Sequence, residues 1–128
     1  MGSEMCIRDR AMSAHVLFES IDPYSPASTS KKLMDIVRNE IKFSGLLISD
    51  DISMAALPGD IKKRTKNLIE AGNDVILHCN GKLFEMKEII EAGVVPNTLT
   101  LSRMSSVIEE RKKIEHTKIE NLESSQSS

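Results

Sequence analysis

Leu46-Leu47-Ile48-Ser49-Asp50-Asp51-Ile52-Ser53-Met54 decides the fold class of this chain. An apolar run breaks into two adjacent carboxylates, and helical patterns come after them. A β-prone segment ending in acid predicts a buried parallel strand that delivers a carboxylate to the end of a sheet. In α/β folds, binding and catalytic groups gather at the carboxyl ends of strands. Any piece of an active site in this chain is expected at Asp50 and Asp51.

The flanking sequence alternates in kind. Upstream, residues 14–18 (AHVLF) read as a short strand, followed by the turn-rich Asp22-Pro23-Tyr24-Ser25-Pro26. Ser30 can cap a helix over residues 31–42, whose stripe is Leu33, Ile36, Val37 and Ile41, and Gly45 is placed to end it. Downstream, Pro58-Gly59 precedes a helix over 60–71 with Asp60 as N-cap and Gly72 as terminator. Residues 74–79 (DVILHC) read as a third strand, 83–92 as a helix closed by Gly93, and about 101–120 as a last helix. The order is β-α-β-α-β-α-α, which implies parallel strands joined by right-handed crossovers. Three such strands are too few to cover both faces and both edges of a parallel sheet, so the pattern reads as part of something larger. Residues 1–10 (MGSEMCIRDR) lack any period and read as a non-native or artefactual leader, and the Ser/Gln-rich residues 121–128 as a disordered tail.

Composition narrows the function classes. The chain has 128 residues, 40% hydrophobic and 28% charged, the balance of a globular domain. A net charge of −2 gives no electrostatic reason to expect nucleic acid or an anionic membrane as partner. Phe18, Tyr24, Phe43 and Phe84 are its aromatics, too few for a base-stacking platform. Cys6 and Cys79 show neither metal spacing nor a disulfide framework. No apolar run approaches the roughly 20 residues of a membrane span. A cytoplasmic protein without cofactor or metal is expected.

The two carboxylates have three readings. They are a helix cap or loop acids in solvent; or one is a nucleophile for covalent attack on an anomeric carbon; or they bind magnesium as in receiver domains. The last reading wants another acid at the end of the next strand, where this chain has His78-Cys79-Asn80. His15 and His78 read as hydrogen-bonded packing residues, and His116 as solvated. Lys62, Lys63, Arg64 and Lys66 read as a solvated helix face.

Several stretches together resemble the β-N-acetylhexosaminidases of glycoside hydrolase family 3. They are Ala14-His15-Val16, the Asp22-Pro23 turn, Phe43-Ser44-Gly45 running into Leu46 to Met54, and Glu70-Ala71-Gly72-Asn73-Asp74 followed by Val75-Ile76-Leu77 and Cys79-Asn80. The resemblance is clear over residues 11–91 and looser over the last helix. It implies a (β/α)₈ barrel, which needs about 250 residues, and places this chain at the C-terminal part: the last three strand-helix units plus a terminal helix, with residues 11–120 as a partial catalytic domain. It implies that Asp50 is the nucleophile and Asp51 a neighbour that orients the loop or caps the segment after it. The implied reaction is retaining hydrolysis of terminal β-linked N-acetylglucosamine from peptidoglycan-derived muropeptides, in cell-wall recycling. The family's acid/base histidine-aspartate pair and its sugar-binding basic residues lie earlier in the barrel and match nothing here. The resemblance thus makes the missing N-terminal part of the barrel a required partner and the chain alone inactive or nearly so. An exposed parallel edge and apolar sheet face also lead us to expect a partly molten or self-associated chain. The alternative from another class is a receiver-like regulatory module without enzymatic activity.

Overall fold

Leu46–Asp51 forms the central strand, β2, of a three-stranded sheet in the computed structural model, which describes residues 10–126. Apart from Arg10, the expected leader lies outside the described residues, as do positions 127 and 128 of the expected tail. Arg10–Ser13 (β1) and Val75–Leu77 (β3) flank β2, and both pair with it in parallel. The parallel α/β reading holds. The first strand, however, lies at Arg10–Ser13 and not at residues 14–18. Pairing decides this: Ala11 stands opposite Leu47 and packs with the Met34, Leu47 and Ala71 cluster. The more apolar AHVLF run instead meets the 3-10 turn Ala27–Thr29, through Ala27 N–H to the Val16 carbonyl at 2.7 Å and Ser28 N–H to the Ala14 carbonyl at 3.0 Å.

Helix α1, Lys31–Asp35, starts at the expected cap, with Leu33 N–H donating to Ser30 Oγ at 3.2 Å. It then widens into a π-turn over Ile36–Glu40, closed by Ile41 N–H on the Ile36 carbonyl at 2.9 Å. The chain reversal after it is made by Lys42 at φ 59°, not by Gly45. A left-handed lysine costs roughly 1–2 kcal/mol. Arg38 offsets that strain by donating from Nη1 to the carbonyls of Phe43 (3.0 Å) and Gly45 (2.6 Å).

Helix α2, Ile61–Ala71, has the expected ends: Asp60 accepts from Lys63 N–H at 2.8 Å, and Gly72 turns the chain at φ 125°. Its buried stripe is Ile61, Thr65, Leu68 and Ala71, at helical spacing. Helix α3 spans Leu83–Glu91, and α4 spans Thr98–Gln126. Residues 121–126, expected as disordered tail, therefore continue α4.

Helices pack on the sheet through two apolar clusters. Met34, Leu47 and Ala71 form one; Ile52, Leu57 and Leu68, with Ile76 and Ile89 against them, form the other. The second sits beneath the loop that leaves the carboxyl end of β2, so the core itself fixes where that strand stops. On β1, Met12 remains 60% exposed, which leaves apolar sheet surface uncovered.

Candidate active site

The carboxyl end of β2 is irregular. Ile48 pairs with Val75 but Asp51 pairs with Leu77, so β2 holds one residue more than β3 across that interval. Bulges of this kind re-aim side chains. Ser49, fully buried, fills the break: its Oγ accepts from Leu77 N–H at 3.2 Å and donates to the Asp50 carbonyl at 2.8 Å.

Beyond the bulge the two aspartates part. Asp51 faces β3: its Oδ1 accepts from Ser53 N–H and Cys79 N–H, both at 3.1 Å, and its Oδ2 from Ser53 Oγ at 2.6 Å. Burial opposes its charge, yet the Ser53 hydroxyl and amide, the Cys79 amide and the neighbouring His78 outweigh it and hold the carboxyl below its ordinary value. Asp51 therefore stays ionised, with its oxygens taken up by Ser53 and Cys79. Asp50, half-buried, accepts one hydrogen bond among the described residues, from Asp51 N–H to Oδ1 at 2.8 Å. An ionised carboxylate offers about four acceptor positions, so Asp50 keeps most of its lone pairs for something else. Among the described residues no lysine or arginine pairs with either carboxylate.

The histidines take separate places. His15 leaves the end of β1 and bridges Ser28 Oγ (Nδ1, 2.6 Å) to the Asp51 carbonyl (Nε2, 2.8 Å). His78, just past β3, meets Glu85 Oε2 through Nε2 at 2.8 Å, while Asn80 Nδ2 donates to the same oxygen at 2.6 Å. These contacts, His78 first, lower the Glu85 pKa. Both histidines are hydrogen-bonded packing residues, as expected, and His116 is exposed beside Glu120. Arg64 departs from the expected solvated face. Its Nη1 reaches the carbonyls of Ile52 (3.0 Å) and Met54 (3.2 Å) and ties α2 to the loop after Asp51. A position four after the helix cap, one turn in, was the only signal for this in the sequence. Lys62, by contrast, pairs with Glu91 near the surface. Cys79 is a free, exposed thiol, and Cys6 lies outside the described residues. No group of three or more His, Cys, Asp or Glu converges on one point among the described residues. No described helix is long and apolar enough to cross a membrane.

The amino end of the sheet holds a different acid. Asp74 sits just before β3 with its side chain 3% exposed. Its Oδ2 accepts from Arg38 Nη2 (2.8 Å) and Leu47 N–H (2.9 Å), and its Oδ1 from Thr100 Oγ1 and Arg103 Nη1, both at 2.7 Å. Burial again opposes the charge, and the Leu47 amide, Thr100 and Arg103 overcome it, so the Asp74 pKa is lowered. A cavity of about 490 Å³ opens here between Arg38, Asn73, Asp74, Thr100 and Arg103, away from Asp50. With every Asp74 lone pair taken and the cations already paired to it, this end is built for holding elements together.

The family model for the glycosyl hydrolase family 3 N-terminal domain matches residues 8–109. A Beta-hexosaminidase of Idiomarina loihiensis is 40% identical over 76 residues, which is 58% of this chain and 23% of that protein. One from Pseudomonas aeruginosa is 38% identical over 76 residues, again 58% of this chain and 23% of the relative. Among solved structures, NagZ from Neisseria gonorrhoeae superposes with a TM-score of 0.58 at 31% identity, covering 74% of this chain and 27% of that one. The family 3 β-N-acetylglucosaminidase of a Paenibacillus species shares the fold at a TM-score of 0.72, over 81% of this chain and 22% of that one. The chain thus spans about a quarter of the length of the relatives it matches. Because the matched span takes in all of β1, β2 and β3 and the strand end that presents Asp50, the chain belongs to glycoside hydrolase family 3, with the β-N-acetylhexosaminidases.

Proposed function

We propose that this chain forms the last three strand-helix units of a (β/α)₈ barrel and supplies the nucleophile, Asp50, of a retaining β-N-acetylhexosaminidase. One observation carries the reading: at the carboxyl end of β2, Asp50 has, among the described residues, a single donor and no cation, while its neighbour is fully engaged. In the first step an Asp50 oxygen bonds to the anomeric carbon as the bond from that carbon to the leaving oxygen breaks. Water, giving a proton to the acid/base group, then attacks the same carbon; the bond to Asp50 breaks, and the sugar leaves with Asp50 as a free carboxylate.

The leaving oxygen needs a proton in the first step. Asp51 cannot give it, since its pKa is held down and its oxygens face Ser53 and Cys79. The acid/base group then comes from barrel units outside this chain, and the chain alone is inactive or nearly so. Loss of general acid catalysis by itself costs about 10²–10⁴-fold. The substrate we propose is a terminal β-linked N-acetylglucosamine on peptidoglycan-derived muropeptides, acted on in the cytoplasm. The Beta-hexosaminidase relatives support the sugar.

The test is a chimera with residues 11–109 placed in the corresponding segment of the Neisseria NagZ. It should hydrolyse 4-nitrophenyl N-acetyl-β-glucosaminide and release N-acetylglucosamine from a muropeptide disaccharide. Asp50→Ala should abolish both, and Asp51→Asn should leave more. Activity that survives Asp50→Ala but not Asp51→Asn would assign the nucleophile to the wrong aspartate. Asp50-dependent turnover by the chain alone would overturn its inactivity.

A further inference from the structure

We infer that His15 is a positioning residue for the Asp50 carboxylate: an Nε2–H ring, set by the Asp51 carbonyl and braced by Ser28, pins residue 51, whose amide holds Asp50. The inference deepens the reading of Asp50 as nucleophile and rests on it.

The need for such a clamp comes from the strand lengths. β1 ends at Ser13, opposite Ser49, so Asp50 and Asp51 run on with no strand neighbour on that side. On the other side, Ile52 N–H bonds the Leu77 carbonyl at 2.9 Å. The two polar atoms of one peptide unit point in opposite directions, so the Asp51 carbonyl is aimed where β1 no longer runs. His15 Nε2 meets it there at 2.8 Å, a side chain in place of a ladder partner.

Donor bookkeeping then fixes the ring. A carbonyl oxygen only accepts, so Nε2 carries the proton. In the neutral ring Nδ1 then keeps a lone pair, and Ser28 Oγ–H, 2.6 Å away, is placed to donate into it. The opposite tautomer would set the Nε2 lone pair against the Asp51 oxygen, two acceptors facing each other. Ser28 is fully buried, so its hydroxyl proton cannot turn to water instead. Ser28 is itself held through its backbone, by its N–H on the Ala14 carbonyl (3.0 Å) and by Asn73 Nδ2 on its carbonyl (2.7 Å).

Residue 51 links this clamp to the nucleophile. Its carbonyl is on His15, and its N–H is the donor to Asp50 Oδ1 at 2.8 Å. A rotation of residue 51 that lost the first bond would swing the second. Freedom at this point spreads the carboxylate over orientations, and displacements near 1 Å at a reacting group can cost about 10²-fold.

The experiment uses the full chain labelled with nitrogen-15 and carbon-13, and no sugar. Long-range proton–nitrogen correlation should show His15 with a bare Nδ1 and a protonated Nε2. A ring carrying its proton on Nδ1, or averaging both forms, overturns the inference. Ser28→Ala should keep the proton on Nε2, where the Asp51 carbonyl still demands it, but move the Nδ1 shift through loss of its hydroxyl partner, and an unchanged Nδ1 shift overturns the role given to Ser28. His15→Leu should move the Asp51 amide proton upfield, speed its exchange and shift the Asp50 carboxyl carbon. His15→Gln, whose amide N–H can reach the same carbonyl, should return most of each change. Asp50 and Asp51 signals indifferent to His15→Leu in a folded chain would also overturn it. If His15→Leu does not fold, the parent ring and Ser28→Ala still decide. Failure here strikes the clamp alone, whereas an inactive chimera with a fixed His15 tautomer strikes the nucleophile reading alone.

Discussion

Asp50 and Asp74 stand at opposite ends of one parallel sheet and are treated oppositely by the fold. Asp74 is closed off from water and accepts four hydrogen bonds, two of them from arginines. Asp50 is half-buried and accepts one among the described residues. A carboxylate whose lone pairs and charge are both satisfied has nothing left for a ligand; one with a single donor has. The contrast sets an acid that holds the sheet together against one left open to a ligand, at the end of the strands where ligands gather in α/β folds.

The largest expected effect is at the open end. In the chimera, Asp50→Ala should lower kcat on the order of 10⁴-fold or more, the scale on which losing a covalent nucleophile acts. Its melting temperature should stay close to the parent's. A variant that loses activity and stability together would erase the distinction between the two ends.

The next effect is at the closed end. Asp74→Ala leaves Arg38 and Arg103 without their shared acid and the Leu47 amide without its acceptor. Breaking a buried pair from one side costs about 3–5 kcal/mol, so denaturant unfolding of Asp74→Ala should shift strongly. An Asp74→Ala chain as stable as the parent would show that this network is ornamental.

Acid should unfold the chain through the same group. A carboxyl held low in the folded state adds stability that is complete above its unfolded value, near 3.8 for Asp74, and is lost as pH falls through the lower folded value. Stability should therefore fall below pH about 4, and Asp74→Asn should flatten that limb from a lower starting point. Asp51 shares the direction, so Asp51→Asn should flatten the limb too. Glu85 follows the same sign, because His78 and Asn80 favour its ionised form, and Glu85→Gln should loosen α3 from the end of β3. Melts recorded between pH 3 and 7 on the three variants would rank these acids.

Much of this was legible in the sequence. The apolar run into Asp50-Asp51, the Asp60 cap and the Gly72 and Gly93 terminators are local signals, and local chemistry settled them. The position of β1 was not local. AHVLF is the better strand by composition, but β2 offers a partner for Ala11 opposite Leu47, and tertiary pairing overrode the run. Lys42 in place of Gly45 at the reversal has the same origin, since Arg38 binds the carbonyls on either side of the turn's exit. Of the two aspartates, spacing alone could not say which was free; the extra β2 residue opposite β3 parts them, and a bulge leaves little trace in one sequence.

The smallest effect tests how far the closed end reaches. α4 is fastened by Thr100 and Arg103 on Asp74, and from Ile108 onward every described residue of it is exposed. A helix of that length in water is marginal without packing. Its surface pairs, such as Arg111 with Glu115 at 3.0 Å, add about 0.3–0.5 kcal/mol each at best. Arg111→Ala should thus leave the melting curve of the chain almost unmoved, while Arg103→Ala lowers it. Amide exchange should sharpen the picture, with protection high through Arg103 and fading past Ile108. Uniform protection to the end of α4 would mean that something covers Ile114, Ile119 and Leu122, all exposed in the single chain. Self-association would be the first explanation to weigh, and sedimentation at two concentrations would decide it.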